Sequence, residues 1–399
     1  MDTMSAGVDS RVARLGYRLF DADNHYYEPQ DAFLRHMDSR IKHKAPRWVQ
    51  MVEGGGKRLV FGDKMNRFVG ADHTFNMVGK AGGLSQGKAG VVKQERANLE
   101  PAREEYRHRD ARLPVMDRQG LEAAMLFPTL AVSVETLLAD DVEATYANLH
   151  AFNQWLDDDW GFSYRDRIYG VPLISLLDPF LAVDELEFVI GRGARVVHLR
   201  PGPVAGRSPA DRIYDRFWSA VAAADIVVAF HASDDSYRHE MAKVWGWGNI
   251  NVPARNIPPI QRVIAGLDRS IHDTVASLIH GKLFERFPGL RLATIELGCA
   301  WVPELLRNLE QCGRGDLAEP PIDTFKQHFW VAPFEHEDVA GLAAAIGVDH
   351  VLFGSDYPHT DGLAEPVTYI DGLKGFDDDA VRKIMHDNAR ALLGRRATR

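Results

Sequence analysis

The chain has 399 residues, of which 45% are hydrophobic and 26% are charged, as in an ordinary globular protein. Its formal charge of -9 argues against a nucleic-acid partner, which would favour a basic surface. No run of about 18 apolar residues is present, so no membrane-spanning helix is expected. Residues 1–18 lack the apolar core of a signal peptide and are interpreted as a flexible arm before a single domain over 19–399.

Eight short apolar runs recur along the chain, and most are rich in Val, Ile, Leu and Phe without alternation. They cover residues 17–21, 123–127, 168–174, 195–199, 226–230, 290–295, 329–332 and 351–353. Unbroken apolar runs are typical of strands that are buried on both faces, as in parallel sheets. Eight such strands are the number that a closed parallel barrel needs.

Longer amphipathic stretches between these runs predict helices at 142–160, 211–224, 272–287, 339–346 and 378–393. Strands that alternate with helices indicate an α/β fold. We therefore predict a distorted (β/α)₈ TIM barrel. Two segments, about 41–110 and 234–270, break the repeat and are predicted to be long insertions after strands 1 and 5. Loops of this length usually serve as lids or binding loops.

The two cysteines, Cys299 and Cys312, are too few for a disulfide framework, so free thiols in a reducing cytoplasm are expected. Cys299 lies in the apolar stretch GCAWVP and is interpreted as a structural residue rather than a nucleophile.

In barrel enzymes, reactive groups lie at the carboxyl ends of the strands. The polar side chains that follow the predicted strands here are Asp23, His25, Glu28, Arg200, His231, Glu296 and Asp356. Asp23 and His25 are two positions apart, so they point to the same side of a strand. Each residue alone has an ordinary structural interpretation as a surface pair or a helix cap. Together, in this order and each after a strand end, the histidines and carboxylates favour a site for Zn²⁺, Mn²⁺ or Fe²⁺.

The chain resembles the amidohydrolase superfamily, and more narrowly its "amidohydrolase 2" branch of proteins related to aminocarboxymuconate semialdehyde decarboxylase. The resemblance rests on the Asp-x-His motif, on His231 and on the phrases MDRQGLEAAMLFPT, GKLFERFPGLRLATIE and VLFGSDYPH. It covers roughly residues 19–394.

The resemblance implies that His25 and His231 are metal ligands and that Asp356 both contacts the metal and transfers protons. Asp23 takes the place of the first histidine of the usual His-x-His pair, a change also seen in the branch. Glu296 stands near the point where the decarboxylases of the branch carry a catalytic histidine. It could be a general acid or base, a further metal ligand, or a buried carboxylate paired with an arginine. Glu28 is another candidate ligand, or could instead hold the turn before Pro29.

Several residues are predicted to contact substrate. Because no lysine ends the fourth strand, a carbamylated-lysine bridge between two metals is not expected, and Arg200 could instead bind a substrate carboxylate bidentately. The alternative interpretation of Arg200 is a surface salt bridge. His359 could face substrate or pack within the Asp-Tyr-Pro-His turn. Trp245 and Trp247 could wall an aromatic ligand or lie in an interface.

The leading prediction is a metal-dependent hydrolase that acts on a C–N or C–C bond of a small anionic or aromatic substrate through metal-activated water. In it Asp356, Glu296 and His231 are catalytic, Zn²⁺ is the expected ion, and Mn²⁺ or Fe²⁺ are alternatives. Other reactions that stay open are non-oxidative decarboxylation and oxidation at a binuclear iron or manganese site. A barrel that binds a small molecule without catalysis is the alternative of a different class. The resemblance also implies a homodimer.

Overall fold

The structure is a computed structural model that describes residues 10–51, 57–66, 76–83, 99–233, 236–247 and 258–394. Twelve strands are assigned within these residues. In chain order they are β1 (Leu19–His25), β2 (Pro46–Gln50), β3 (Lys57–Phe61), β4 (Lys64–Met65), β5 (Met77–Gly79), β6 (Leu99–Pro101), β7 (Leu121–Phe127), β8 (Ile168–Gly170), β9 (Val196–Leu199), β10 (Val227–His231), β11 (Arg291–Ile295) and β12 (Phe329–Val331).

Parallel strands form the two arcs of a barrel. One arc has the order β1-β7-β8, and the other has the order β12-β11-β10-β9. The arcs meet where the backbone N–H of His198 in β9 donates to Pro172 O at 2.9 Å, just after β8. Residues 351–353 occupy the eighth strand position, because Leu352 N donates to Val331 O at 2.9 Å and Ala22 N donates to Phe353 O at 2.8 Å. The predicted (β/α)₈ TIM barrel is therefore confirmed.

Apolar side chains fill the barrel interior below its carboxyl end. Alternate residues of neighbouring strands point inward and pack together, as the twofold repeat of a strand requires. They are Phe20, Ala22, Ala123, Met125, Val171, Val196, Val227, Ala229, Ala293, Ile295 and Leu352, all of which are fully buried. The interior is a packed core, so polar chemistry is confined to the mouth above it.

Fifteen α-helices are assigned in the described residues, and the longer ones alternate with the barrel strands. They are α1 (Ser10–Leu15), α2 (Arg109–Arg118), α3 (Val134–Leu138), α4 (Val142–Asp159), α5 (Pro179–Gly191), α6 (Asp215–Ala224), α7 (Ser236–Trp245), α8 (Pro259–Ala265), α9 (Leu267–His280), α10 (Leu283–Arg286), α11 (Val302–Cys312), α12 (Pro321–His328), α13 (Val339–Ile346), α14 (Asp378–Arg382) and α15 (Asn388–Leu393).

The predicted helical stretches are confirmed, with shifted boundaries at several ends. Aspartate caps set some of these boundaries, because the side chain accepts backbone N–H groups that have no partner in the first turn. Asp141 accepts from Ala144 N at the start of α4. Asp178 accepts from the N–H groups of Phe180 and Leu181 at the start of α5. Between α14 and α15 the chain forms one π-helical turn, Lys383–Asp387.

Both predicted insertions contain regular structure. In the first, β2, β3 and β4 form an antiparallel sheet, and β5 pairs with β6. Gly79 at the end of β5 lies against Thr360, since a Cβ on Gly79 would be 2.1 Å from Thr360 Cγ2. The second insertion contains α7, α8 and the start of α9, and its residues 234–235 and 248–257 lie outside the described residues.

The predicted N-terminal arm carries helix α1, whereas residues 1–9 lie outside the described residues. Val12 of α1 packs on Gly120, where an added Cβ would be 2.3 Å from Val12 Cγ1. Across the described ranges, none of the helices combines the length and the apolar character that crossing a membrane requires.

Candidate metal centre

The end of β1 supplies two of the predicted ligands. Asp23 and His25 are 4% and 0% exposed, and both side chains turn into the barrel mouth, as their spacing of two predicts. His25 Nε2 is 3.2 Å from Asp23 Oδ1. Neither ring nitrogen of His25 has a hydrogen-bond partner in the described chain.

His231 is the last residue of β10 and is fixed in one orientation. Its Nδ1 is 2.7 Å from the carbonyl oxygen of Ala232, which can only accept a hydrogen bond, so Nδ1 carries the proton. The unprotonated Nε2 faces Asp23 Oδ1 at 3.5 Å and Glu296 Oε2 at 3.2 Å. A nitrogen lone pair that is directed at two carboxylates is the arrangement that a metal ligand requires.

Glu296 and Asp356 follow β11 and the eighth strand position, and both have left-handed backbone conformations, with φ of 54° and 55°. For a residue other than glycine this conformation costs about 1–2 kcal/mol, and such strain is found mainly at functional sites. The strained turns direct both carboxylates towards His25. Its Nε2 is 3.2 Å from Asp356 Oδ1 and 3.9 Å from Glu296 Oε2.

The ligand atoms of this cluster are spaced as a single cation would need. Bonds of about 2.0–2.2 Å to nitrogen and oxygen place neighbouring ligand atoms roughly 3.0–3.6 Å apart. Asp23, His25, His231 and Glu296 each offer one atom within 4.8 Å of the others. Asp23 Oδ1, His25 Nε2 and His231 Nε2 are buried without a hydrogen-bond partner among the described residues. Unpaired buried polar atoms are costly, and one divalent cation would satisfy all three, so the residues fit such an ion.

The charges of the cluster also favour a cation. Burial raises the pKa of Glu296 well above its usual range, and the negative charges of Asp356 and Asp23 add to this effect. Burial alone would raise the pKa of Asp23, but His231 and His25 hold it below its usual value. Burial lowers the pKa of His231 and so favours the neutral ring that a metal binds. Three carboxylates that share one buried site repel one another, and a divalent cation would offset this repulsion.

Asp21 joins β1 to the loop after the eighth strand position beneath this cluster, a role that sequence analysis missed. Its Oδ1 accepts the backbone N–H groups of Asp23 at 3.1 Å and Ser355 at 3.0 Å. Its Oδ2 accepts from Asn24 Nδ2 at 2.9 Å and Ser355 Oγ at 2.5 Å. The residue is fully buried, so these four bonds hold Asp23 and Asp356 in a fixed relation.

Arg112 of α2 supports the same strand end from outside the barrel. The guanidinium is fully buried and donates to Asn24 Oδ1 and to His25 O, both at 2.6 Å. Burial lowers the pKa of Arg112, and contacts with the carbonyl and amide oxygens compensate for its lost hydration.

The structure does not bring Glu28 to the cluster. Its carboxylate is buried and accepts the backbone N–H groups of Thr129, Leu130 and Ala131 at 2.9–3.1 Å. Glu28 therefore holds the loop after β7 instead of facing a metal, and the candidate role as a ligand gains no support.

Arg200 is buried beside the cluster rather than on the surface. The register of β9 and β10 places Arg200 level with His231. Its Nε donates to Glu135 Oε1 at 2.7 Å, and its Nη2 donates to Pro203 O at 2.9 Å. Nη1 is buried and has no hydrogen-bond partner within the described ranges. Arg200 thus forms a salt bridge, but a buried one with Glu135 rather than the surface pair that one interpretation predicts, and its Nη1 stays unpaired among the described residues.

Both ring nitrogens of His359 have a partner, and one of the partners is Asp356. Nδ1 lies 2.6 Å from Asp356 Oδ1, and Nε2 lies 2.9 Å from Thr129 Oγ1. The ring is centred 3.9 Å from the ring of His25. Direct hydrogen bonding of His359 to substrate, the predicted role, would require one of these contacts to be broken.

Trp245 and Trp247 are not brought to the cluster by any contact between described residues. Trp245 ends α7 and is 60% exposed, and Trp247 is half-buried, with its backbone N–H on Ala242 O at 3.0 Å. The hydrophobic wall next to the cluster is instead Phe127, which is stacked on His231 with ring centres 4.3 Å apart.

His198 is a second residue that sequence analysis missed. It lies on β9, one layer below the mouth, with its ring centre 5.9 Å from that of His231. Burial and the nearby His231 hold its pKa well below the usual value. The only signal in the sequence was a histidine inside an otherwise apolar run.

Cys299 agrees with its interpretation as a structural residue. It is 5% exposed, and burial together with Glu337 raises its pKa to about 12. A thiol with so high a pKa is a poor nucleophile at neutral pH.

Comparison with known proteins places this site in a family. The model of the amidohydrolase family matches residues 8–395. The structure of an amidohydrolase from Mycobacterium avium subsp. paratuberculosis K-10 is 41% identical in sequence, with a TM-score of 0.85. The match covers 95% of this chain and 99% of that one.

More distant structures share the fold. A 2,6-dihydroxybenzoate decarboxylase in complex with 2,6-dihydroxybenzoate is 18% identical, with a TM-score of 0.57 over 71% of this chain and 87% of that one. A 5-carboxyvanillate decarboxylase from Novosphingobium aromaticivorans DSM 12444, in complex with manganese and 4-hydroxy-3-methoxy-5-nitrobenzoic acid, is 17% identical. Its TM-score is 0.58 over 98% of this chain and 99% of that one.

Proposed function

The chain belongs to the amidohydrolase family, and on that premise we propose that it is a metal-dependent hydrolase of a small organic substrate. The bond cleaved is a C–N or C–C bond, and the substrate carries an anionic or aromatic group. The observation that carries this proposal is the buried cluster in which Asp23 Oδ1, His25 Nε2 and His231 Nε2 face one another without hydrogen-bond partners among the described residues.

In the proposed site, Asp23, His25, His231 and Asp356 hold one divalent ion, and Glu296 is a further ligand or an acid–base group. Zn²⁺ is the proposed ion, because nitrogen and oxygen ligands at these spacings suit it, and Mn²⁺ or Fe²⁺ are the alternatives. When bound, the ion supplies Lewis-acid polarisation of the substrate and lowers the pKa of water.

The proton steps are assigned to the chain's own carboxylates. Asp356 takes the proton of the attacking water, since its Oδ1 lies within 3.2 Å of His25 Nε2 and therefore beside the reacting centre. Glu296, whose Oε2 is 3.9 Å from His25 Nε2, donates its own proton to the leaving group. Asp356 then releases the proton it has taken to solvent, and Glu296 regains one from solvent. Arg200 binds an anionic substrate group through Nη1, the guanidinium donor that Glu135 and Pro203 leave unused.

Decarboxylation is the second candidate. The fold likeness to decarboxylases of 2,6-dihydroxybenzoate and 5-carboxyvanillate favours it. In this reaction Arg200 binds the substrate carboxylate, and Glu296 protonates the carbon that loses carbon dioxide. Oxidation at two metals gains less support, because the second group of possible ligands, His25, Asp356 and His359, shares His25 with the first.

Isotope labelling separates these reactions. The protein loaded with Zn²⁺ or Mn²⁺ is incubated with amides, 1,3-diketones and hydroxybenzoates in H₂¹⁸O and, separately, in D₂O, and the products are analysed by mass spectrometry. Hydrolysis places one solvent oxygen in the product, whereas decarboxylation places deuterium on carbon and releases carbon dioxide. Asp356→Asn is the inactive control.

Deuterium on carbon without ¹⁸O would overturn hydrolysis in favour of decarboxylation. Metal binding without turnover of any of these substrate classes would favour a barrel that only binds small molecules. The expected homodimer stays a prediction, which light scattering of the purified chain tests.

A further inference from the structure

A chain of four side chains leads away from the proposed metal ligand Asp356. Asp356 contacts His359, His359 contacts Thr129, and Glu28 holds the backbone of Thr129. Asp356 and Glu28 are buried, and the side chain of His359 is 16% exposed. Neither Thr129 nor Glu28 takes part in the proposed reaction, so their contacts serve another purpose.

The direction of each hydrogen bond follows from what each atom can donate. Thr129 Oγ1 lies 2.7 Å from the carbonyl oxygen of Tyr26, which only accepts, so the hydroxyl proton points there. The same oxygen lies 2.9 Å from His359 Nε2 and must accept from it. Nε2 of His359 is therefore protonated.

The other ring nitrogen of His359, Nδ1, contacts the carboxylate of Asp356. Asp356 Oδ1 lies 2.6 Å from His359 Nδ1, a separation at which two lone pairs would repel, so one proton lies between these atoms. This short contact ties the ring of His359 to the carboxylate, whose Oδ1 lies 3.2 Å from His25 Nε2. Hydrogen bonds of this kind to a ligand orient it for the metal.

Two further contacts prevent His359 from turning away. The loop that carries Thr129 is held by Glu28, whose carboxylate accepts three successive backbone N–H groups, from Thr129 to Ala131. On the other side, Gly82 N donates to His359 O at 3.1 Å, so the first insertion also holds the loop after Asp356.

We infer that Thr129 is a positioning residue for the metal ligand Asp356, which it orients through His359. The inference rests on the proposed metal site. It also accounts for the buried Glu28, which faces the loop after β7 instead of the cluster.

Two substitutions of Thr129 test the inference. Thr129→Val keeps the shape but removes the acceptor of His359 Nε2, and Thr129→Ser keeps the hydroxyl. The matched control is Thr145→Val, because Thr145 is also buried and its hydroxyl donates to a backbone carbonyl, Leu138 O, at 2.8 Å. Each variant is titrated with Co²⁺ alone, and ¹⁵N NMR of the metal-free, histidine-labelled protein reports the hydrogen bond of His359 Nε2 to Thr129, with the resonance assigned by use of His359→Asn.

We expect Thr129→Val to lower the Co²⁺ affinity about tenfold, as is common for residues that orient metal ligands, and to shift the His359 Nε2 resonance. Thr129→Ser and Thr145→Val should keep the parent affinity and spectrum. An unchanged affinity and spectrum in Thr129→Val would overturn the inference.

Should Thr129→Val fail to fold, two substitutions of His359 carry the test. His359→Asn keeps a donor at the Nδ1 position, whereas His359→Leu does not, and equal Co²⁺ affinities of the two would overturn the inference. Failure of the parent protein to bind Co²⁺ would count against the proposed function, while the metal-free ¹⁵N spectrum would still decide the Thr129–His359 contact.

Discussion

Asp21 and Ser355, 334 positions apart in the chain, are joined by a hydrogen bond of 2.5 Å in which the serine hydroxyl donates to Oδ2. Asp21 belongs to β1, and Ser355 directly precedes Asp356. The contact therefore connects the strand that carries Asp23 and His25 with the loop that carries the last of the proposed ligands.

Asp21→Asn should weaken metal binding without removing a ligand. All four partners of the Asp21 carboxylate are donors, whereas the asparagine amide has one acceptor oxygen and one NH₂ donor. In either orientation the NH₂ group faces another donor from Ser355 or Asn24, so the four bonds cannot all be kept. We expect a 10–100-fold loss of Mn²⁺ affinity, measured by calorimetry, as for other groups that orient ligands. Asp117→Asn, on the surface beside Arg18, should leave the affinity unchanged. Parent-like binding by Asp21→Asn would show that the ligands hold their positions without this contact.

His231→Ala should abolish stoichiometric metal binding. Its Nε2 faces both Asp23 and Glu296, so its loss removes a neutral donor and leaves a cavity next to two carboxylates. We expect about one metal per parent chain and a loss of affinity of at least about 100-fold in the variant, by mass spectrometry of metal content. The control is His336→Ala, because that side chain is 72% exposed. Retention of metal by His231→Ala would contradict the proposed site.

Glu296→Gln should have opposite effects with and without metal. In the metal-free protein, burial and the charges of Asp356 and Asp23 raise the pKa of Glu296, so a neutral amide is expected to increase the free energy of unfolding. With Zn²⁺ bound the carboxylate is favourable, and the variant should bind more weakly. Thermal unfolding in chelator and in excess Zn²⁺ measures both effects. Destabilisation by the substitution in chelator would mean that Glu296 has a structural partner.

His150 should make the stability of the fold depend on pH. Its Nδ1 contacts Glu185 at 2.8 Å and joins α4 to α5, and this contact raises the pKa of His150. A raised pKa in the folded state gives stability that is present below the unfolded value, about 6.5, and is lost as the pH rises through the folded value. The free energy of unfolding should therefore drop more for His150→Gln at pH 5.5 than at pH 8.5, by chemical denaturation. An equal loss at both values would show that the pair is not ionic.

The barrel could be predicted from the sequence because its strands are unbroken apolar runs. A run such as IVVAF has no polar residue to turn towards water, so it indicates a strand that is buried on both faces. The ends of those runs also identified Asp23, His25, His231, Glu296 and Asp356. Position at a strand end is a local property, so it can be read without knowledge of the partners.

The supporting contacts depend on distant pairs and could not be read in the same way. Ser355 becomes the partner of Asp21 only when the barrel closes. Glu28 looked like a ligand because it follows the Asp-x-His motif, but the loop after β7 offers it three N–H groups. Trp245 and Trp247 were interpreted as a ligand wall or interface residues because they lie in the long segment after His231, but no contact between described residues brings them to the cluster.

Because residues 351–353 close the barrel, the barrel can close only after they have been synthesised. A nascent chain that has emerged only through β12 already carries four of the five clustered side chains, but β1 and β12 still have unpaired edges. A premature stop before residue 351 would leave two open strand edges in the cell, which are templates for aggregation, so truncation is expected to send the product to degradation instead of producing an inactive but folded barrel.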